Sequence, residues 1–309
     1  MNVVARILVL MSIIVSTSAC SYVFGRTITL KVEDQNQKPV PEAEVIMVFQ
    51  RSHGGDRRDK VTDENGIAKA RGRDLFGVKT IVTKPGYYLS ERGIGGEDSI
   101  ETSIKLREKK NPLPMYVKEI TMQIPETETK FGFDLETGKV LRADRNKSTI
   151  DMYFWLSGHN RSQNDVDANM RMSFKNEESG IKKVDPVSRY SEFQFPYSAP
   201  AEGYVSQIQR SYQYGSGDSA DDPLYKSNID EGALGYVFRI VKNGDESEGE
   251  KSVTYGRIMG EFEFHIAPGD EPGGEIYLTY YYNSDPGSRS LEFNPQRNLF
   301  RDAEQTYPP

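Results

Sequence analysis

"VEDQNQKPVPEAEVIMVF", Val32 to Phe49, is the stretch on which the fold turns. It reads as a strand, a turn marked by proline, and a second strand. Pro39 and Pro41 fix φ and remove backbone donors just before the second strand begins. Working outward, "VTDENGIAKARG" (Val61 to Gly72) supplies a tight turn at Asp63-Glu64-Asn65-Gly66, with glycine where a positive φ is needed. "VKTIVTKPGYYLSE" (Val78 to Glu91) adds strands and a Pro85-Gly86 corner that turns Tyr87 or Tyr88 back over the core. The whole order is strand, turn, strand, polar loop, tight turn, strand, strand, corner.

The same period continues along the chain. Ile28, Leu30 and Val32 alternate with Thr29, Lys31 and Glu33, and Ile100, Thr102, Ile104 and Leu106 alternate with charged and polar neighbours. Further sets are Ile120/Met122/Ile124, Phe131/Phe133/Leu135, Ile150/Met152/Phe154/Leu156 and Met170/Met172/Phe174. Tyr236/Phe238/Ile240, Phe262/Phe264/Ile266 and Ile276/Leu278/Tyr280 complete the series. A period of two buries one face and wets the other, as in antiparallel sheets. No sustained helical period competes with it. The expectation is an all-β protein: a small β-sandwich followed by a larger β-sandwich-like domain with long polar loops.

The chain divides at "REKKNPLPMY", Arg107 to Tyr116, where charge and then Asn111-Pro112 and Pro114 favour an extended connector. The expected organisation is a signal over 1–19, a tether over 20–23, a small sandwich over 24–109, a linker over 110–114 and a second β-rich domain over 115–309. In that second domain "SGHNRSQNDVDAN" and "YGSGDSADDPLYKSN" read as surface loops.

Three motifs in order over about 85 residues, Lys38-Pro39-Val40-Pro41-Glu42-Ala43-Glu44-Val45, Thr62-Asp63-Glu64-Asn65-Gly66 and Lys84-Pro85-Gly86-Tyr87, give the first domain its likeness. It resembles a carboxypeptidase regulatory-like domain, the transthyretin-like or Ig-like sandwich of bacterial surface proteins. That resemblance implies a fold and no activity, because the motifs are turn and corner chemistry. "GYVFRIVKNG", "YGRIMGEFEF" and "RSLEFNPQRNLF" resemble C-terminal regions of uncharacterised exported bacterial proteins, which again implies no activity.

Arg6, the apolar run Ile7 to Val15 and the small residues after it have the order of a secretory signal. The run is shorter than the roughly 20 residues that span a bilayer. Cys20, the one cysteine of the 309 residues, follows Ser18-Ala19 directly. The stretch resembles a lipoprotein signal, with Thr17 where leucine is commonest, which implies acylation of Cys20 and attachment to membrane lipid. The same residues also read as an ordinary cleavage site, Thr17-Ser18-Ala19, leaving Cys20 a free thiol. Acylation would place the chain in the bacterial cell envelope as an anchored protein rather than a spanning one. Ser21 is not the aspartate of an inner-membrane retention signal, which leans to the outer membrane.

Net charge is −7, and loss of Arg6 with the signal makes it −8. That balance argues against nucleic acid and against a polybasic patch. His53, His159 and His265 share no ligand spacing, so no zinc site or other cofactor is expected. Asp165, Asp167 and Asn169 in "DVDAN", and Asp218, Asp221 and Asp222 in "GDSADD", are the candidates for calcium; the first set fails the EF-hand pattern at Met170 and Asn176. No catalytic constellation emerges. Tyr204, Tyr212, Tyr214, Tyr225 and Tyr280-Tyr281-Tyr282 either complete the core or offer faces to a sugar or protein partner. Trp155 lies opposite Met152 and Phe154 and reads as cover for the second face of its strand. The sequence therefore favours a non-catalytic interaction, adhesion or scaffold module with an envelope protein or glycan as partner. The alternative is a carbohydrate-binding or glycan-hydrolysing protein with its site in the second domain.

Overall fold

The computed structural model describes residues 25–95, 101–143, 149–216, 223–243, 251–269, 271–300 and 307–309. The signal, the tether and Cys20 lie outside these residues, as do Ile100 and the calcium candidates Asp218, Asp221 and Asp222. Among the described residues every regular element is a strand. The protein is all-β, built from sandwich-like units.

Two compact units divide the chain: Met1–Lys109 with Ser188–Gln194, and Lys110–Val187 with Phe195–Pro309. In the smaller one, β1 (Arg26–Asp34), β4 (Ile67–Gly72) and β7 (Glu101–Leu106) make one sheet, in order β4-β1-β7. The facing sheet takes β3 (Gly55–Val61), β2 (Glu44–Gln50), β5 (Val78–Thr83) and β6 (Ser90–Ile94), in that order. Ile28, Leu30 and Val32 from one sheet meet Val45, Met47, Phe49 and Val82 from the other in a single core. β1 pairs with β7 in parallel, which the period of two alone does not distinguish from antiparallel pairing.

Gly66 takes φ 71°, and a Cβ there would sit 2.4 Å from the Val32 carbonyl oxygen, so only glycine fits the turn. The Asp63 carboxylate accepts the amides of Asn65 and Ile67, both at 2.9 Å, and closes it. At the Pro85-Gly86 corner it is Tyr88 that becomes fully buried. Its ring lies 5.0 Å from that of Phe193.

Two local expectations change. The polar loop after the second strand is β3: "GDRRDKV" pairs along its length with β2 although it has no apolar face. It is an edge strand with both faces wet, and mixed charges of this kind disfavour pairing of an exposed edge with other chains. Arg107, read as connector charge, is buried, donating to the Phe193 carbonyl at 2.6 Å with its guanidinium over that ring. Ser188–Gln194 thus completes the smaller unit from far along the chain. Ser191 bridges Ser90, and Glu192 accepts the Leu89 amide.

The larger unit has two six-stranded sheets. The first runs β10 (Lys139–Arg142), β9 (Lys130–Asp134), β11 (Met152–Ser162), β12 (Asp165–Phe174), β14 (Gln207–Ser216), β15 (Pro223–Ser227). The second runs β13 (Gly180–Val184), β16 (Gly235–Lys242), β17 (Ser252–Ile266), β18 (Gly274–Asn283), β8 (Leu113–Ile124), β19 (Phe293–Asn298). Phe131, Phe133, Phe154, Leu156, Met170 and Met172 of the first face Phe238, Ile258, Phe262, Ile276 and Tyr280 of the second.

The segment "SGHNRSQNDVDAN" is not a loop: it is the end of β11, a tight turn, and the start of β12. Many of its polar residues, such as Asp165, Asp167 and Asn169, share the outer face of the first sheet, so strand and loop compositions coincide there. The second sheet is covered on its outer face as well. Tyr281 joins Met115, Val117, Phe293 and Tyr307 in a separate small core, while Tyr280 and Tyr282 point into the main one. Double cover explains three buried tyrosines in succession, because a strand buried on both faces loses its alternation. Residues 110–114 are held in this unit: the Glu292 carboxylate accepts the amides of Lys110 and Asn111, at 2.9 and 3.0 Å.

Candidate functional groove

The groove forms where the two sheets of the larger unit part company. β16 stops pairing with β17 at Gly235↔Met259, and the register of β17 against β18 shifts between Met259 and Glu263. Beyond that bulge β17 presents Phe262 and Phe264 toward β14 and β15, the outermost strands of the first sheet. Tyr214 of β14 pairs with Val166 of β12 on one side and with Tyr225 of β15 on the other, and Ala168↔Tyr212 is the next rung on the same face. The inward face therefore runs past the edge of the opposing sheet. The result is a hollow of about 980 Å³ lined by Tyr212, Tyr214, Tyr225, Glu231, Glu263 and His265 among others.

Its floor is polar but saturated. The Glu261 side chain is 6% exposed and accepts from Arg210 Nε at 3.0 Å and from the Tyr236 hydroxyl at 2.6 Å. Arg210 also donates to that hydroxyl. Burial works against the Arg210 charge, but Tyr236 and Glu261 outweigh it and hold the guanidinium above its ordinary value. Burial, seconded by Glu261, pushes the Tyr236 phenol up. Both oxygens of Glu261 are thus engaged by Arg210 and Tyr236, which makes its role in the groove a structural one.

The walls are aromatic. Tyr212 lies 5.4 Å from Phe264, its hydroxyl 3.4 Å from His265 Nδ1, and burial and then Tyr225 raise its pKa. Tyr214 and Tyr225 tilt toward each other at 6.1 Å and keep 36% and 54% of their surface in solvent. Exposed tyrosine faces beside carboxylates can stack on a ring and accept hydrogen bonds from hydroxyls.

Other sequence candidates lie elsewhere. Tyr204 is half-buried beneath Arg239, donates to the Pro200 carbonyl at 2.9 Å, and burial pushes its pKa up to about 12. Trp155 is half-buried on the outer face of the first sheet, with the Arg171 guanidinium 5.2 Å from its ring and Tyr153 nearby under Lys130. His53 is in an exposed turn. Among the described residues, no three histidine, cysteine or acidic side chains gather as a metal site would.

Asp165, Asp167 and Asn169 sit on one face of β12, not in a loop. Asp167 accepts from Asn169 at 2.8 Å and from Gln213 at 3.0 Å. Asp165 lies 2.8 Å from His159 Nε2, and this hydrogen bond holds its carboxyl below the ordinary value, against a small desolvation and with help from Arg161. A lowered carboxyl favours the folded state above its unfolded pKa, and that contribution fades as pH falls through the folded one. NMR titration should place the Asp165 midpoint below 3.8, and His159→Ala should return it toward that value. An unchanged midpoint in the variant would remove His159 as the cause.

The sequence reading named the three groove tyrosines but not their floor. Arg210, Tyr236 and Glu261 are brought together from three strands, and no local spacing announces them.

No family model matches the chain, and no curated protein matches it. Among solved structures it is similar to a DUF3823 family protein from Parabacteroides merdae, at 7% identity over 87% of this chain and 98% of that one, with a TM-score of 0.23. It is also similar to a protein from Bacteroides uniformis proposed to bind carbohydrate, at 10% identity over 82% and 97%, with a TM-score of 0.21. At these scores neither likeness bears on the ligand of this chain.

Proposed function

We propose that this protein is a non-catalytic binding module of the bacterial cell envelope, tethered by a lipid on Cys20 and holding a glycan in the groove of its larger unit. The observation that carries the binding site is the overhanging aromatic wall of Tyr212, Tyr214 and Tyr225 above a saturated floor. Two of those rings keep a third or more of their surface in water at no benefit to the core. The carboxylates of Glu231 and Glu263 beside them supply acceptors for sugar hydroxyls. A hydrolytic role lacks support, since the buried carboxylate there is neutralised by Arg210.

Calorimetric titration against a panel of soluble oligosaccharides tests the ligand. Tyr225→Ala should weaken the best binder about tenfold, the loss of roughly 1.4 kcal/mol of stacking, with the melting temperature unchanged. If no oligosaccharide binds, or if Tyr225→Ala binds as well as the parent, the groove is not a glycan site. Membrane fractionation tests the tether independently: Cys20→Ala should move the protein to the soluble fraction.

A further inference from the structure

Leu75 and Phe76, in the turn between β4 and β5, are 46% and 67% exposed. Single exposed apolar side chains are ordinary. These two are consecutive in the chain and share one turn.

The turn is braced in this position. Both amides donate to the Gln50 carbonyl, at 2.7 and 3.3 Å, and Gln50 donates back to the Gly77 carbonyl at 2.9 Å. Next to them, Asp74 is buried in a two-pronged pair with Arg26, at 2.9 and 2.8 Å. Backbone and ion pair together hold the two apolar side chains outward.

The chain enters the smaller unit beside this same turn. Gly25 abuts Gly72 and Arg73 so closely that a Cβ on it would stand 2.8 Å from the Gly72 carbonyl oxygen. Cys20 precedes Gly25 by five residues, a reach of at most ~18 Å. A lipid on Cys20 would therefore hold the entry point of the unit, and the Leu75–Phe76 turn beside it, within reach of the bilayer.

We propose that Leu75 and Phe76 insert into the interfacial layer of the membrane that holds the Cys20 lipid, forming a second attachment that orients the smaller unit. This rests on the lipid tether proposed above. Arg51, His53 and Arg73 are exposed around the turn, and Arg51 pairs with Asp56 at 3.1 Å. With charges of both signs present, insertion depends on the apolar side chains. It persists on uncharged phosphatidylcholine and in high salt.

In the acylated full-length protein the Cys20 sulfur is blocked, so Phe76→Cys provides a single free thiol for an environment-sensitive NBD label. In phosphatidylcholine vesicles the label at 76 should shift to the blue, brighten and be quenched by lipids spin-labelled near the headgroup. Val61→Cys, at the far end of β3 from the Gln50↔Gly55 pair, should stay aqueous. Intact-mass measurement reports acylation separately. Acylated protein with an aqueous label at 76 overturns the insertion and leaves the tether standing. A bare Cys20 sulfur overturns the tether and this inference with it. A blue shift that rises with protein concentration in Cys20→Ala/Phe76→Cys without vesicles assigns the turn to a second copy of the chain and overturns the membrane contact.

Discussion

Glu261→Ala should cost the larger unit about 3–5 kcal/mol, because it strands the Arg210 guanidinium in a largely buried site. Arg210 is 16% exposed and Glu261 6%, so water cannot replace the lost carboxylate. For a unit of this size the melting temperature should fall by roughly 6 to 20 °C. The Tyr236 hydroxyl, which donates to Glu261 and accepts from Arg210, would lose its acceptor in the same step. The double substitution Arg210→Met/Glu261→Leu should recover most of the loss, since a paired charge exchanged for apolar volume is often close to neutral. Thermal and urea denaturation of the three variants decide the matter. A single substitution costing under ~1 kcal/mol would mean that the floor of the groove is not held by this network.

Arg257 gives the second large effect. Its side chain is 1% exposed, with the guanidinium 3.9 Å from the Tyr281 ring centroid and 4.9 Å from that of Phe195. Tyr281 is its cross-strand partner on β18, whereas Phe195 arrives on the irregular segment that covers this face. The segment is fastened by the Ala199 and Leu291 amides, which donate to Arg289 and Tyr197 at 2.7 and 2.9 Å. Arg257→Ala removes the filling of this sandwich and should cost about 3–5 kcal/mol, through a cavity and two desolvated cation–π contacts. Arg257→Lys keeps the charge but not the plane that stacks between two rings, and should remain clearly destabilised. If the lysine variant melts with the parent protein, planar stacking is not what the arginine contributes.

The groove and the cover of the second sheet show different limits of sequence reading. Tyr212, Tyr214 and Tyr225 could be picked out because they cluster in a polar neighbourhood. Tyr280, Tyr281 and Tyr282 drew equal notice and are all buried, because a second layer of chain lies over Tyr281. A tyrosine carries no local mark of whether another segment will cover it. The strand β3 and the turn-proximal ends of β11 and β12 escape a sequence reading for the opposite reason. Their polar outer faces look like loops until pairing partners are known, and edge or wet positions impose no apolar alternation.

What the sequence determined by itself was the all-β class, the inward face of most strands and the turns at Gly66 and Gly86. Each of these is set by neighbours within a few residues, through side-chain alternation or a required backbone angle. The tertiary structure alone decided that residues 188–194 complete the smaller unit, that Arg210, Tyr236 and Glu261 converge, and that one sheet overhangs the other to leave tyrosine faces open. Those arrangements depend on which strands pair and where pairing stops, and contacts made across 25 to more than a hundred residues leave no periodic trace in the chain.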